Sequence, residues 1–263
     1  MLLRKPVLEY YLYLTMKAIG WIVLIYTGIF LLSAISSIIF MSNVNIGTIN
    51  VNGSEGGTTF SGIEGMFAFA FLIICASDFK QELHFMFQHG VSRRSSYFGM
   101  LGTIVIASAA SALIVFLAAI VFDVIASLLR APIVTYTIFD TAYAGWRSTT
   151  NAAVGTLVNI LFYWALLVMA GSIGYFFSIV FNRLEKFGRT ILIGLGIAFV
   201  ISLPLLNNLS NGRLAQFGLW LWGVFIGQGE TANPFNAMGV FLAFAVLALI
   251  PSWVLIRRIK LKK

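Results

Sequence analysis

Charged residues are scarce in this chain, and so are cysteine and histidine. Asp, Glu, Lys and Arg make up 10% of the 263 residues, whereas a soluble domain is about a quarter charged. The single cysteine, Cys75, excludes an internal disulfide and a cysteine-based metal cluster. The two histidines, His84 and His89, are five positions apart, which is not the helical spacing of a metal-binding pair. The composition therefore argues against both a soluble domain and a metal centre.

Motifs for nucleotide hydrolysis and for covalent catalysis are also missing. A phosphate-binding loop reads G-x-x-x-x-G-K-[ST], and no lysine of this chain follows a glycine. An intramembrane serine protease needs a serine and a histidine within the same helix bundle, but neither histidine falls within an apolar run. We therefore expect no catalytic residue, no metal site and no cofactor held by the chain itself.

Long apolar runs make up most of the sequence. Hydrophobic residues account for 60% of the chain, and the mean hydropathy is +0.95. A hydrocarbon core about 30 Å thick needs roughly 20 apolar residues as helix, and runs this long are too apolar for barrel strands. The fold class predicted is an all-α integral membrane protein with a single transmembrane domain over residues 1–263. Its six predicted spans are about 18–41, 60–79, 98–129, 151–181, 189–206 and 235–256.

The basic residues are concentrated in alternate gaps between these runs. Fourteen of the seventeen Lys and Arg residues fall before span one or after spans two, four and six, and only Arg130, Arg147 and Arg213 fall in the other gaps. Because juxtamembrane Lys and Arg remain in the cytoplasm during insertion, the pattern predicts a multi-pass protein of the cell membrane with both termini cytoplasmic. The net charge of +8 then fits anionic lipid rather than nucleic acid.

Three segments outside the predicted spans carry patterns of their own. Residues 3–17 have basic residues at both ends and predict a helix in the inner membrane interface. Residues 42–62 predict a short external hairpin turning near Asn52 and Gly53, and the aromatics of 130–150 predict a headgroup belt.

Residues 217–227 are apolar but too short to cross a membrane. They predict a re-entrant or interfacial segment in the outer leaflet. Its side chains Trp220, Trp222 and Phe225 are a candidate outer gate, and the alternative is that they only anchor the protein among lipid headgroups.

The cytoplasmic segment between spans two and three, residues 77–99, is the best functional candidate. Phe79, Leu83 and Phe87 lie at helical spacing among polar residues, and Gly90 is a natural helix terminator. The segment therefore predicts a short amphipathic helix on the cytoplasmic face. It is either a docking site for a soluble partner or an ordinary solvated turn.

This layout resembles the bacterial ATP-binding-cassette (ABC) exporter permeases of the second type. The resemblance rests on the N-terminal helix, the six spans, the sequence Gly90-Val91-Ser92-Arg93-Arg94 and the Asn-Pro-Phe at 233–235. It implies that this chain binds a cytoplasmic ATPase, which holds ATP and magnesium, and a second permease copy or paralogue. It implies an amphipathic or hydrophobic cargo such as a drug, peptide or lipid. The ATPase-docking residues it implies are Glu82, Phe85, Gly90, Arg93 and Arg94.

Two other functions remain open. An ion-coupled secondary transporter needs polar or ionisable groups within its spans. Asp123 and Asn159 are the candidate polar pathway, while Glu64 and Asp123 can instead be solvated or paired with Arg130 or Arg147. A non-transporting membrane protein, such as an immunity factor or a sensor partner, is the other alternative. It would purify without an ATPase.

Overall fold

The computed structural model describes residues 5–40, 44–46, 49–51, 58–61, 63–77, 90–128, 133–184, 212–223 and 233–257, together with residues 188, 190, 191, 194 and 202. In chain order the elements are α1 (Lys5–Phe40), β1 (Val44–Ile46), β2 (Ile49–Val51), β3 (Thr58–Ser61), α2 (Ile63–Ser77), α3 (Arg93–Leu128), β4 (Ile133–Tyr136), α4 (Ile138–Ala142), α5 (Ala144–Thr149), α6 (Ala152–Arg183), α7 (Arg213–Trp222) and α8 (Pro234–Arg257).

Four of the described helices, α1, α3, α6 and α8, contain a segment that is long and apolar enough to cross a membrane. The qualifying segments are Val7–Leu32, Arg93–Ile125, Ala152–Phe181 and Pro234–Arg257. Their outward faces carry exposed large apolar side chains, among them Trp21, Leu117 and Leu247. This is consistent with a multi-pass membrane protein whose outer surface faces lipid.

The predicted spans at 60–79 and 189–206 differ from the others. Residues 58–61 form β3, so α2 starts only at Ile63 and has 15 residues. That is about 22 Å of helix, against a hydrocarbon core about 30 Å thick. The Thr-Thr-Phe-Ser run of β3 is β-branched and aromatic, which favours a strand. The segment 189–206 lies outside the described residues apart from 190, 191, 194 and 202.

Helix α1 is continuous, without the predicted boundary between an interfacial helix at 3–17 and a span at 18–41. No proline lies between Val7 and Phe40 to interrupt the backbone ladder. The polar side chains near the expected boundary are accommodated within the helix. Thr15 donates to the Tyr11 carbonyl oxygen at 2.9 Å, and Lys17 is exposed.

The directions of the helices define two ends of the bundle. Helices α1 and α3 are parallel, and α2, α6 and α8 run the opposite way. The contacts that fix these directions are Val7 with Gly99, Phe30 with Phe122, Tyr97 with Tyr175, Cys75 with Gly174, and Phe162 with Phe241.

The basic end is defined by Arg93, Arg94, Arg183 and Arg257, and the start of α1 also lies there. The opposite, sheet end carries the strands with α4 and α5. The described starts and finishes of the chain, in α1 and α8, therefore share one end.

The sheet end contains a four-stranded sheet in the order β1-β2-β3-β4, of which the sequence predicted only a hairpin within residues 42–62. Ile46 pairs with Ile49, so the connection between β1 and β2 has only two residues. Strand β2 is antiparallel to β3, and the predicted turn at Asn52 and Gly53 falls in their connection. Strand β3 is parallel to β4. Polar, β-branched connecting segments thus pair with one another outside the helix bundle.

Helices α2 and α6 approach each other closely. A methyl group at Gly171 would lie 2.6 Å from Phe71 Cε1, and one at Gly174 would collide with the carbonyl oxygen of Leu72. Small residues allow such close helix approach in membrane proteins. The two glycines therefore set the distance between α2 and α6, with Cys75 buried beside them.

Candidate functional site

The Gly-Val-Ser-Arg-Arg sequence forms the entry to α3. Gly90 has φ +71, a left-handed conformation that side chains with a Cβ rarely adopt. Ser92 then caps the helix, because its Oγ accepts from the Ser95 backbone N–H at 3.2 Å, and its carbonyl oxygen accepts from the Ser96 N–H at 3.0 Å. Both arginines follow the cap and are exposed. The motif is thus a glycine turn followed by a serine cap and two arginines in the first helical turn.

Arg93 also has a structural role. Its Nη1 donates to the carbonyl oxygen of Arg257 at 2.7 Å, near the end of α8, where a cation is favoured by the helix dipole. The guanidinium of Arg257 lies 4.4 Å above the centre of the Trp253 ring, a cation–π contact. The Arg93 side chain therefore ties the start of α3 to the end of α8, and the cation–π contact holds the Arg257 side chain against its own helix.

Buried hydroxyl groups reinforce this end of the bundle. The hydroxyls of Tyr11 and Ser96 are 3.0 Å apart, and both side chains are buried. This hydrogen bond joins α1 to α3. The Tyr97 hydroxyl donates to the carbonyl oxygen of Leu249 at 3.1 Å, which adds a second bond between α3 and α8.

The bond from Tyr97 lies next to a proline inside α8. Pro251 has no N–H, so it cannot donate to the carbonyl oxygen of Leu247 in the helical pattern. Ser252 Oγ donates to the Ala248 carbonyl oxygen at 2.7 Å. Side-chain donors thus surround the interrupted turn, as is usual where membrane helices tolerate proline.

Three of the five predicted docking residues lie together at the basic end. They are Gly90, Arg93 and Arg94, whereas Glu82 and Phe85, with the rest of the predicted amphipathic helix, lie outside the described residues. Sequence reasoning missed Tyr11 and Arg257. Arg257 stood among the basic residues at the C-terminus, but its contact with Arg93 uses a backbone carbonyl and leaves no sequence signal.

The charged side chains at the sheet end form hydrogen bonds and an ion pair with other residues of that end. The Glu64 carboxylate is buried and accepts from the backbone N–H of Ile138. Thr137 caps α4 by accepting from the Asp140 N–H at 2.9 Å, and Arg147 forms an ion pair with Asp140. Arg147 thus pairs with a carboxylate other than the two that the sequence suggested.

The predicted headgroup belt is wrong for two aromatics of this segment. Phe139 and Tyr143 are 0% and 1% exposed, and both pack on Phe162 of α6. Burial raises the pKa of Tyr143 to about 12, because the phenolate loses hydration there. The aromatics of α4 and α5 therefore form a core between the sheet end, α6 and α8.

The structure does not bring the candidate polar pathway together. Asn159 is buried in α6, whereas Asp123 is exposed on α3. Trp164 Nε1 donates to the carbonyl oxygen of Val105 at 3.3 Å. This bond fixes the register between the antiparallel helices α3 and α6. By this register, Asn159 lies level with about residue 110, so Asp123 is about 20 Å further along α3.

The candidate outer gate is only partly described. Trp220 is 60% exposed and stacks on Phe217 at 5.8 Å within α7. The side chain of Trp222 and all of Phe225 lie outside the described residues. The exposed pair on α7 is what an interfacial helix presents to a membrane.

Among the side chains that the structure describes, no three His, Cys, Asp or Glu residues form a group suited to a metal ion. Comparison of the chain with protein-family models, with curated proteins and with solved structures gave no match. The chemistry of the basic end itself is therefore the basis for a functional hypothesis.

Proposed function

We propose that this chain is the membrane-spanning permease subunit of an ABC exporter, driven by ATP that a separate cytoplasmic ATPase hydrolyses. The observation that carries the proposal is the entry to α3. Gly90 turns the chain, Ser92 caps the helix and Arg94 is exposed at the start of a long apolar helix. A predicted docking helix directly before this turn would be attached to α3 through a short, defined connection.

The directions of the helices support six spans. Helix α6 ends at the basic end, and α8 starts at the sheet end, where Phe235 packs on Trp146. The chain between residues 184 and 233 must therefore pass from one end to the other. Its apolar run at 189–206 is the natural fifth span, and α2, although shorter than the other spans, is the second because it runs from the sheet end to the basic end. Both termini then face the cytoplasm by the distribution of basic residues.

The contacts at the basic end suggest how movement reaches the spans. Arg93 ties the start of α3 to the end of α8, and Tyr11 ties α1 to α3. A displacement of the docking helix by the ATPase would therefore move three helices as a unit. Two permease subunits would enclose the pathway, and a hydrophobic or amphipathic cargo would leave past α7. Trp220, Trp222 and Phe225 serve there either as a gate or as an anchor.

Co-purification tests this function. The tagged chain, extracted from its own membranes in mild detergent, should carry an ATPase activity. Phe85→Asp and Arg94→Glu should each remove that activity while the chain still inserts. Arg183→Glu is the matched control, because Arg183 is an exposed arginine of the same end outside the predicted docking residues. Absence of any ATPase with the unaltered chain, or full activity with Phe85→Asp, would refute the proposal. Uptake driven by an ion gradient alone in vesicles of the purified chain would indicate the secondary transporter.

A further inference from the structure

An apolar groove runs between α3 and α8 beside the basic end. Its volume is about 350 Å³, and Ile250 and Val254 on its α8 side are exposed. We name it the α3–α8 groove. The residues that line it include Tyr97, Phe98, Leu249, Ile250, Trp253 and Val254.

Three guanidinium groups lie one helical turn beyond the aromatic lining residues. Arg93 and Arg94 precede Tyr97 and Phe98 by four positions each, which places each arginine on the same face as the aromatic below it. Arg257 follows Trp253 by four positions and stacks on its ring. The apolar groove therefore leads directly to a cluster of positive charge at its basic end.

We propose that the α3–α8 groove binds an anionic phospholipid, with an acyl chain along the apolar lining and the phosphate held by Arg93, Arg94 and Arg257. Guanidinium groups bind phosphate through paired N–H donors, and a basic site between membrane helices is suited to an anionic headgroup. The four further basic residues after Arg257 in the sequence, Arg258, Lys260, Lys262 and Lys263, add attraction for an anionic surface.

Charge favours a lipid over a second copy of the chain. A two-fold interface at this groove would bring the arginines of two copies together, since such an interface contacts itself. An anionic phospholipid instead places its acyl chain on the apolar lining and leaves the guanidiniums to the headgroup.

Lipid-dependent stability measures this site without any ATPase, so it stands apart from the exporter proposal. The purified chain in detergent is heated with phosphatidylglycerol or with phosphatidylcholine of the same acyl chains, and its dissociation constant for each is obtained from the shift of the unfolding temperature with lipid concentration. We expect tighter binding of phosphatidylglycerol. Arg257→Gln should weaken it about fivefold, the equivalent of about 1 kcal/mol per basic residue near an anionic headgroup. Arg257→Lys, which keeps the charge, should retain most of the preference.

A second pair of variants tests the apolar part of the site. Ile250→Trp fills the groove and should weaken phosphatidylglycerol binding, whereas Leu247→Trp, an equally exposed position of α8 outside the lining, should not. Arg183→Gln is the control for charge. Equal binding of the two lipids, an effect of Arg183→Gln as large as that of Arg257→Gln, or unchanged binding in Ile250→Trp would each overturn the proposal. A change of oligomeric mass in Ile250→Trp with unaltered lipid binding would also overturn it, in favour of a second copy.

Discussion

Removal of the Tyr11 hydroxyl should loosen α1 from α3 at the basic end. Tyr11 and Ser96 are 1% and 0% exposed, and their hydroxyls are 3.0 Å apart. In Tyr11→Phe the Ser96 hydroxyl remains buried and loses this partner. A buried polar group that loses its hydrogen-bond partner lowers the free energy of unfolding by about 1–3 kcal/mol in proteins generally.

The membrane reduces this expected cost. Hydrogen bonds between membrane helices have coupling energies that average about 0.6 kcal/mol and reach about 1.7 kcal/mol, because the unfolded chain also finds partners in the membrane. The bond joins two helices and lacks contact with water at both ends. We therefore expect a coupling energy in the upper half of that range, about 1–1.7 kcal/mol.

A double-mutant cycle measures the coupling directly. The free energies of unfolding of the unaltered chain, Tyr11→Phe, Ser96→Ala and the double variant are compared in the same detergent. The double variant should be more stable than the sum of the two single losses predicts, since the bond between the two hydroxyls is then counted as lost only once. A cycle of Ser96→Ala with Thr27→Val serves as control, because the Thr27 hydroxyl donates within its own helix to Val23. If the Tyr11–Ser96 cycle gives no more coupling than this control, the bond does not join the helices.

Three further predictions concern packing, ionisation and orientation. Gly174→Val should destabilise the bundle by about 1–3 kcal/mol through overpacking, whereas Gly239→Ala, in open space on α8, should be neutral or slightly stabilising in the same melting experiment. Because burial raises the pKa of Tyr143 from 10.0 to about 12, its contribution to stability is complete below about pH 10 and is lost as the pH rises through 12; the difference in tyrosine absorbance between the unaltered chain and Tyr143→Phe should show this late ionisation, and a midpoint near 10 would contradict it. In a chain whose own cysteine is replaced by alanine, a cysteine at Arg94 should react with an impermeant maleimide only from the cytoplasm and one at Ser148 only from outside, and the reverse pattern would invert the topology.

The sequence predicts the long helices well because each is specified locally. A run of apolar residues about the thickness of a membrane has few alternatives to a helix, and α3, α6 and α8 begin within five residues of their predicted starts. The continuity of α1 was not predictable in the same way. An interfacial helix and a span have the same backbone, and Thr15 and Lys17 fit within one continuous helix.

Features that depend on distant parts of the chain were beyond sequence reasoning. The aromatics Phe139 and Tyr143 have the composition of a headgroup belt, and only their contact with Phe162 shows that they form a core. At the basic end the Gly-Val-Ser-Arg-Arg motif was visible, but the carbonyl acceptor of Arg93 was not. A pairing with a backbone atom places no requirement on the identity of the residue that supplies it.

The parallel pairing of β3 with β4 has a consequence for the order in which the protein is built. Thr58 pairs with Ile133, so β3 must wait for this partner until α2 and α3 have been synthesised. Strands β1 to β3 can pair with one another before that. The sheet can therefore be completed only when α3 has folded back beside α2 and brought β4 next to β3 at the sheet end. An α2–α3 pair that is incomplete would leave one edge of β3 without its strand partner.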